Sequence, residues 1–209
     1  NFEAALSKLI RRELAAHRRI LFNGNGYSEE WPLEAARRGL LNLRSTPEAL
    51  IHYTDEKNVA LFVRHGVYTR TEIQSRQDIN MEEYAKIIHI EALTLIDMLG
   101  KLIVPACAAY SKQLAEGVAA KAGIGVDAPA EAEQVRLLTE KTAELIERTE
   151  RLKAVVAAEP EELNARAMYE HGAVIPAMEA ARQVADELEG RVGKEYWPMP
   201  SYADLLFYV

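Results

Sequence analysis

Several residue types are scarce in this sequence, and each scarcity excludes a class of protein. The 209 residues include a single cysteine, Cys107. Because one cysteine cannot form an internal disulfide, a disulfide-stabilised secreted scaffold is excluded and a cytoplasmic protein is indicated. Alanine and valine surround Cys107, so we expect a buried, unreactive thiol. No apolar run approaches the roughly 18 residues that a membrane span requires, and the N-terminus does not resemble a signal peptide.

Positive charge is also in deficit. The formal net charge is -7 at pH 7 and the isoelectric point is near 5.4. Binding to nucleic acid requires a basic face that neutralises phosphates, and the only dense basic cluster, Arg11-Arg12 together with residues 17–19, lies on one short predicted helix. We therefore expect neither a nucleic-acid nor a membrane partner. The chain opens at Asn1 without an initiator methionine, which suggests a fragment of a longer protein.

Motifs for catalysis or metal binding are missing as well. The five histidines are scattered, and none lies at metal-ligand spacing from a carboxylate. His89 lies near Glu91 and His171 is adjacent to Glu170, but such close neighbours face different directions on a helix. Most acidic residues alternate with lysine and arginine, which is typical of a solvated helix face. The sequence therefore predicts no catalytic, cofactor-binding or metal-binding residue. It predicts that ionisable groups are dispersed over the surface.

One glycine-rich loop precedes a predicted helix, at residues 22–28, with glycines at 24 and 26. Such a loop could hold an anion at the N-terminus of the next helix. It lacks the lysine of a Walker motif and the third glycine of a dinucleotide fingerprint, and it follows a helix. A tight turn with Asn and Gly at positive φ accounts for it better. An anion-binding regulator that uses Asn23 to Gly26 remains an alternative function.

The first third of the chain has the pattern of short helices joined by tight turns. Apolar residues at helical spacing, with basic residues between them, predict an amphipathic helix over residues 3–21. Further helix starts and stops are predicted from capping residues and glycines: a start at Ser28 with Pro32 in the first turn, a stop at Gly39, a start at Ser45, a helix over 55–65 that Gly66 stops, and a capping box over 69–72.

Three long helical stretches follow, at residues 80–121, about 130–158 and 160–189. Short connections make neighbouring helices antiparallel. The middle helix repeats apolar or threonine residues at spacings of three and four, a seam suited to bundle packing: Val135, Leu138, Thr142, Leu145, Thr149, Leu152 and Val156. Pro105 and Pro176 interrupt the outer helices and predict a kink in each.

The sequence therefore predicts an all-α fold, in which short N-terminal helices precede an antiparallel bundle of three long helices, two of them proline-kinked. Five aromatic residues gather in the last fourteen positions, 196–209. An aromatic tail of this kind has to dock on another surface. We predict three parts: an N-terminal cluster over 1–79 adjoining a missing catalytic domain, the bundle over 80–189, and a segment over 190–209 that docks back on the N-terminal part.

Several long motifs occur in a fixed order: Arg19-Ile20-Leu21-Phe22-Asn23-Gly24-Asn25-Gly26-Tyr27-Ser28-Glu29-Glu30-Trp31, Arg38-Gly39-Leu40-Leu41-Asn42-Leu43, Phe62-Val63-Arg64-His65-Gly66-Val67-Tyr68-Thr69, Gly193-Lys194-Glu195-Tyr196-Trp197-Pro198 and Asp204-Leu205-Leu206-Phe207-Tyr208-Val209. Together they resemble the C-terminal part of a type III glutamine synthetase, the long bacterial form. The resemblance extends over essentially the whole chain.

The resemblance implies that the complete enzyme condenses glutamate with ammonia through γ-glutamyl phosphate, using ATP and two or three Mg or Mn ions. In that family the catalytic groups lie on an upstream strand-rich barrel, and its nucleotide and Glu-x-Arg segments have no counterpart here. We therefore expect no cofactor in this fragment and no activity from it alone. The implied role is structural, with two partners: the catalytic barrel of its own polypeptide and a homo-oligomer of stacked rings. The alternative is a free-standing helical protein–protein interaction module.

Overall fold

The computed structural model describes residues 1–207, except for the side chain of Tyr202, and every regular segment in this range is helical. The predicted all-α class is confirmed. Contacts within the chain divide it into two units, Asn1–Arg44 and Ser45–Val209. Across the described residues, no helix has the length and apolar character needed to cross a membrane.

The first unit contains helix α1 (Phe2–Ala16), a 3-10 turn (Arg18–Ile20) and helix α2 (Glu30–Arg37). The prediction of one helix over 3–21 is wrong at its C-terminal end. At His17 the backbone leaves the α-helical region, with φ -110° and ψ 22°, and the next residues tighten into the 3-10 turn. In such a turn, some of the backbone carbonyls that have no partner at a helix end accept hydrogen bonds.

The loop before α2 also differs from the prediction. Neither Gly24 nor Gly26 has a positive φ. Instead, the Oδ1 atom of Asn25 accepts a hydrogen bond from the backbone N–H of Tyr27 at 3.0 Å, which is the turn that asparagine side chains build. The Ser28 hydroxyl donates to the Asn25 carbonyl at 2.8 Å, so Ser28 does not cap α2. The loop is a tight turn, as expected. Hydrogen bonds of the Asn25 and Ser28 side chains determine its shape, rather than glycines at positive φ.

The second unit begins with α3 (Thr46–Leu50), a 3-10 turn (Ile51–Thr54) and α4 (Glu56–Arg64). The capping signals read from the sequence are confirmed here. Ser45 and Glu48 form a capping box, and Gly66 follows α4 with φ 63°. A second capping box, of Thr69 and Glu72, starts the next helix.

The bundle consists of α5 (Arg70–Met98), α6 (Val104–Gly123), α7 (Pro129–Ala157), α8 (Leu163–Tyr169) and α9 (Ile175–Glu189). A π-helical turn, Leu99–Ile103, joins α5 to α6, and another, Glu170–Val174, joins α8 to α9. The three long helical stretches are confirmed. The first of them starts at Arg70 rather than at residue 80, because the capping box already begins the helix there.

The two π turns lie directly before the two prolines that predicted kinks. In each, an N–H donates to the carbonyl five residues back: Val104 to Leu99 and Ile175 to Glu170. Proline donates no hydrogen bond, and its ring collides with the carbonyl four residues earlier in a regular α-helix. A wider π turn ahead of Pro105 and Pro176 is a known way to accommodate that conflict.

The predicted seam of α7 forms the centre of the core. Leu138, Leu145, Thr149 and Leu152 are buried, and α7 contacts both α6 and α9. Cys107 is buried in the largest apolar cluster, together with Leu138 and Leu145. The expected burial of Cys107 is confirmed, and this burial raises the pKa of its thiol.

Part of the aromatic tail packs on this cluster. Tyr196 and Trp197 contact it, and the ring centroids of Tyr196 and Tyr110 are 5.3 Å apart. A short helix, α10 (Tyr202–Leu206), follows, and Phe207 is exposed. Tyr208 and Val209 lie outside the described residues. The division at residues 79 and 189, and docking of the tail on residues 1–79, remain predictions.

The α7 seam can be tested with two neighbouring residues. Leu145→Ala should lower the free energy of unfolding by about 2–5 kcal/mol, because it opens a cavity at a fully buried site. Ile146→Ala on the exposed side of the same helix is the control and should cost less than about 1 kcal/mol. Urea unfolding followed by circular dichroism measures both. Equal losses in the two variants would contradict the assigned seam.

Candidate functional site

Three ionisable side chains from different parts of the bundle converge at one place. They are His89 on α5, Glu159 just after α7, and Glu170, the first residue of the second π turn. One ligand atom from each lies within 4.8 Å of the other two. The expectation that ionisable groups stay dispersed over the surface is therefore wrong for these residues. We call them the His89 cluster.

The chain reversal between α7 and α8 positions the two carboxylates. The Arg166 Nε atom donates to the carbonyl of Pro160 at 2.9 Å, and the Tyr169 hydroxyl donates to the carbonyl of Val155 at 3.0 Å. The first bond ties α8 to the connecting turn, and the second ties it to the last turn of α7. As a result Glu159, in the turn, and Glu170, at the end of α8, reach the same side of α5.

His89 and Glu159 form the outer part of the cluster. The Nδ1 atom of His89 lies 2.7 Å from Oε1 of Glu159. The Glu159 side chain is only 10% exposed and the His89 side chain is 37% exposed. The histidine that the sequence placed nearest to Glu91 thus bonds a carboxylate 70 residues away.

Glu170 is the inner member and is fully buried, with 0% of its surface exposed. Within the described chain, neither of its carboxylate oxygens accepts a hydrogen bond. Burial raises the pKa of Glu170 to about 7, and the nearby carboxylate of Glu159 adds to the rise, while His89 and Arg166 oppose it. When protonated, Glu170 can share its proton with Glu159. A buried acceptor without a donor costs about 1–3 kcal/mol, and more when it is charged.

The other π turn has an apolar side chain at the matching position. Leu99 is the first residue of that turn and is 0% exposed, like Glu170. The last residues of the two turns, Ile103 and Val174, are both buried and apolar. Glu170 therefore stands where the matching turn has a leucine. The fold tolerates a desolvated carboxyl group at a site that accepts an apolar side chain elsewhere in the same bundle.

The outer part of the His89 cluster opens to the surface through a pocket of ≈ 300 Å³, whereas Glu170 is not among the residues that line it. His89 and Glu159 form part of its wall, together with Lys86 and Arg166. Lys86 is paired with Glu82 at 2.6 Å. An imidazole beside two carboxylates is a donor set that can hold a proton or a divalent metal ion. The buried side is closed by protein, whereas the pocket gives access from solvent.

Sequence reasoning missed this cluster because its members are distant along the chain. One local signal was present: Ala167, Glu170 and Val174 share the buried face of the helical stretch, so a glutamate occupies a core position. Of the other histidines, His52 lies 2.8 Å from Asp55 and His17 lies 3.4 Å from Glu13. Each pair lies within one short segment; the His17 pair is exposed and the His52 pair is half-buried, which is ordinary behaviour for ion pairs near a surface.

Comparison with known proteins identifies the family. Residues 5–122 match the family model of the glutamine synthetase C-terminal domain. The chain belongs to this family. The match confirms the resemblance carried by the sequence motifs. It includes His89, whereas Glu159 and Glu170 lie beyond the matched range.

Three curated relatives are similar over nearly the whole chain. A glutamine synthetase of Butyrivibrio fibrisolvens is 35% identical over 211 residues, covering 97% of this chain. A type-3 glutamine synthetase of Dictyostelium discoideum is 36% identical over 214 residues, covering 98%. A glutamine synthetase of Bacteroides fragilis (strain YCH46) is 32% identical over 218 residues, also covering 98%. The chain spans 29% of the length of each relative.

The buried carboxyl group predicts a pH-dependent stability. Glu170 has a pKa of about 7 in the folded chain against an ordinary value of 4.5, so folding favours its protonated form. The free energy of unfolding should fall as pH rises from about 4.5 to 7 and then level off. Glu170→Gln removes this charge, and in metal-free buffer at pH 8 it should be more stable than the wild type by about 1–3 kcal/mol.

Urea unfolding from pH 4 to pH 8 measures this difference. Glu161→Gln, an exposed neighbour, is the matched control and should follow the wild-type pH profile. The assignment is contradicted if Glu170→Gln leaves the slope between pH 5 and pH 7 unchanged.

Proposed function

We propose that this chain is the non-catalytic C-terminal part of an ATP-dependent glutamate–ammonia ligase, in which it serves packing and assembly. The observation that carries the proposal is the family match. The chain matches the model of a C-terminal domain, and it spans 29% of the length of the glutamine synthetases to which it is similar. On this proposal the chain has no activity alone, and glutamine forms on the remainder of the polypeptide.

The proposed chemistry belongs to that remainder. Phosphoryl transfer from ATP to glutamate needs metal ions that bridge phosphate oxygens and cationic groups that stabilise the transferred charge. ATP and Mg or Mn ions are therefore assigned to the larger part of the enzyme. A γ-glutamyl phosphate, formed there, would react with ammonia. We assign none of these steps to a residue of this chain.

An apolar stripe on α1 supports a packing role. Leu6, Leu9, Ile10 and Leu14 share one helix face, yet α1 contains no buried residue among those the structure describes. These four side chains are 41–51% exposed. Completing the burial of such side chains would stabilise a contact by about 1 kcal/mol each. A contiguous apolar patch of this kind marks a contact surface rather than a solvated face.

We assign this stripe to contact with the rest of the same enzyme, either the catalytic barrel of the same polypeptide or a neighbouring subunit. The exposed apolar end of the tail, Leu205 to Phe207, belongs to the same kind of surface. Assembly into a homo-oligomer of stacked rings in the cytoplasm completes the proposal. In this arrangement the long bundle acts as a rigid helical element attached to the catalytic rings.

The proposal is tested on two samples, the 209-residue chain and the complete polypeptide that contains it. The complete enzyme should catalyse ATP-dependent γ-glutamyl transfer and should scatter light as a large oligomer. The chain alone should do neither. In the complete enzyme, Leu9→Gln should shift the oligomer toward smaller species, because it places an amide in the stripe.

Lys8→Gln, on the opposite face of α1, is the matched control and should leave the particle size unchanged. Measurable turnover by the chain alone would contradict the non-catalytic assignment. An oligomer equally stable in the Leu9 and Lys8 variants would contradict the assignment of the stripe to assembly.

A further inference from the structure

We propose that His89, Glu159 and Glu170 bind one divalent transition-metal ion of the zinc or manganese class, which links three helical elements of the bundle. The proposal is independent of the catalytic chemistry assigned to the rest of the enzyme. It rests on the positions of the three donors, on the burial of Glu170 and on the access that the pocket provides.

The donor positions are close to those of a three-ligand site. Imidazole nitrogen and carboxylate oxygen bind zinc at about 2.0–2.2 Å, so two donors of a tetrahedral site lie about 3.4 Å apart. The three donor atoms here all lie within 4.8 Å of one another. Nδ1 of His89 and Oε1 of Glu159 are 2.7 Å apart, so this pair has to open by about 0.7 Å to admit the ion.

The state of Glu170 distinguishes this cluster from an ordinary surface group of acidic residues. Its carboxylate is fully buried, and no donor reaches either oxygen within residues 1–207. Arg166, which also lines the pocket, has its Nε hydrogen committed to the Pro160 carbonyl. A dication between Glu159 and Glu170 would give the buried Glu170 carboxylate a partner and balance two negative charges with two positive ones.

The donor set also selects the class of cation. Magnesium and calcium prefer sites built from oxygen alone, whereas imidazole and carboxylate together suit zinc, and the two carboxylates also suit manganese. Three protein donors leave a further coordination position, which would face the ≈ 300 Å³ pocket. Water can occupy that position. In this arrangement His89 coordinates through Nδ1.

A shared proton is the competing occupant of the same gap. A proton between Glu159 and Glu170 would also relieve their repulsion. It would neutralise one of the two charges and leave the pair held by a single bond. A metal ion neutralises both and connects His89 as well, and therefore joins α5 to the α7–α8 turn. The two occupants give different results in a binding experiment.

The probes are zinc chloride and manganese chloride, added separately to the metal-free chain and to the complete polypeptide. Equilibrium dialysis with elemental analysis should find one equivalent bound to the chain. At a 100-fold excess over Kd the midpoint of thermal unfolding should rise by about 5–10 °C. Glu170→Gln and His89→Gln should each weaken binding by at least about tenfold.

Glu161→Gln and His65→Gln, both at exposed positions, are the matched controls and should bind like the wild type. In the complete polypeptide, the same two cluster variants should lower the metal content by one equivalent per chain. Cobalt bound to the wild-type chain should broaden or shift the NMR signals of His89 and of residues in α8. This measurement needs no variant and stands even if a substitution prevents folding.

Three results would overturn the proposal. Binding that is equally strong in Glu170→Gln and wild type would place the ion on surface histidines. Absence of binding at millimolar metal would leave the shared proton as the occupant. Cobalt effects confined to His17 or His52, with His89 unaffected, would exclude the cluster as the site.

Discussion

The packing of α7 between the two outer helical stretches is the contact on which the bundle depends. Its seam repeats leucine at Leu138, Leu145 and Leu152, seven residues apart, and all three are buried. A seven-residue repeat keeps one face of a helix toward its neighbours along its whole length. The one buried polar residue of α7, Thr149, causes no conflict, because its hydroxyl donates to the Leu145 carbonyl at 2.7 Å.

The two outer helical stretches that pack on α7 share the same departure from regular α-helix. Each contains a proline, and each widens into a π turn immediately before it. A π turn shifts the residues on the inward face relative to a regular helix, and such turns are often found at functional sites. In one turn the inward position is Leu99 and the result is ordinary apolar core. In the other it is Glu170, and the same backbone geometry presents a carboxylate to His89 and Glu159.

The fold was largely predictable because its signals are local or periodic. Capping boxes at Ser45 and Thr69 depend on residues three positions apart, and the seam of α7 depends on a repeat within one helix. Predictions failed where another interaction outweighed the local pattern. The apolar pattern after His17 continues, but the helix ends there, and the turn at Asn25 uses a side-chain hydrogen bond instead of glycines at positive φ.

The His89 cluster was not predictable in the same way. His89 and Glu159 are 70 residues apart, and nothing in their immediate neighbours indicates that they meet. Only the tertiary arrangement, with α8 tied back to the end of α7, brings them together. Glu170 was detectable in part, since it replaces an apolar residue on the buried face shared by Ala167 and Val174. A helical pattern interrupted by one acidic core position indicates a buried carboxyl group, but it does not reveal that group's partners.

Amide hydrogen exchange of the chain, followed residue by residue, tests the central role of α7 most directly. If the seam holds the bundle together, the amides around Leu145 in α7 should be among the slowest to exchange. They should share one opening free energy, equal to that of global unfolding, with amides around Cys107 in α6 and Val184 in α9. Rapid exchange along α7 while α6 and α9 stay protected would contradict the account.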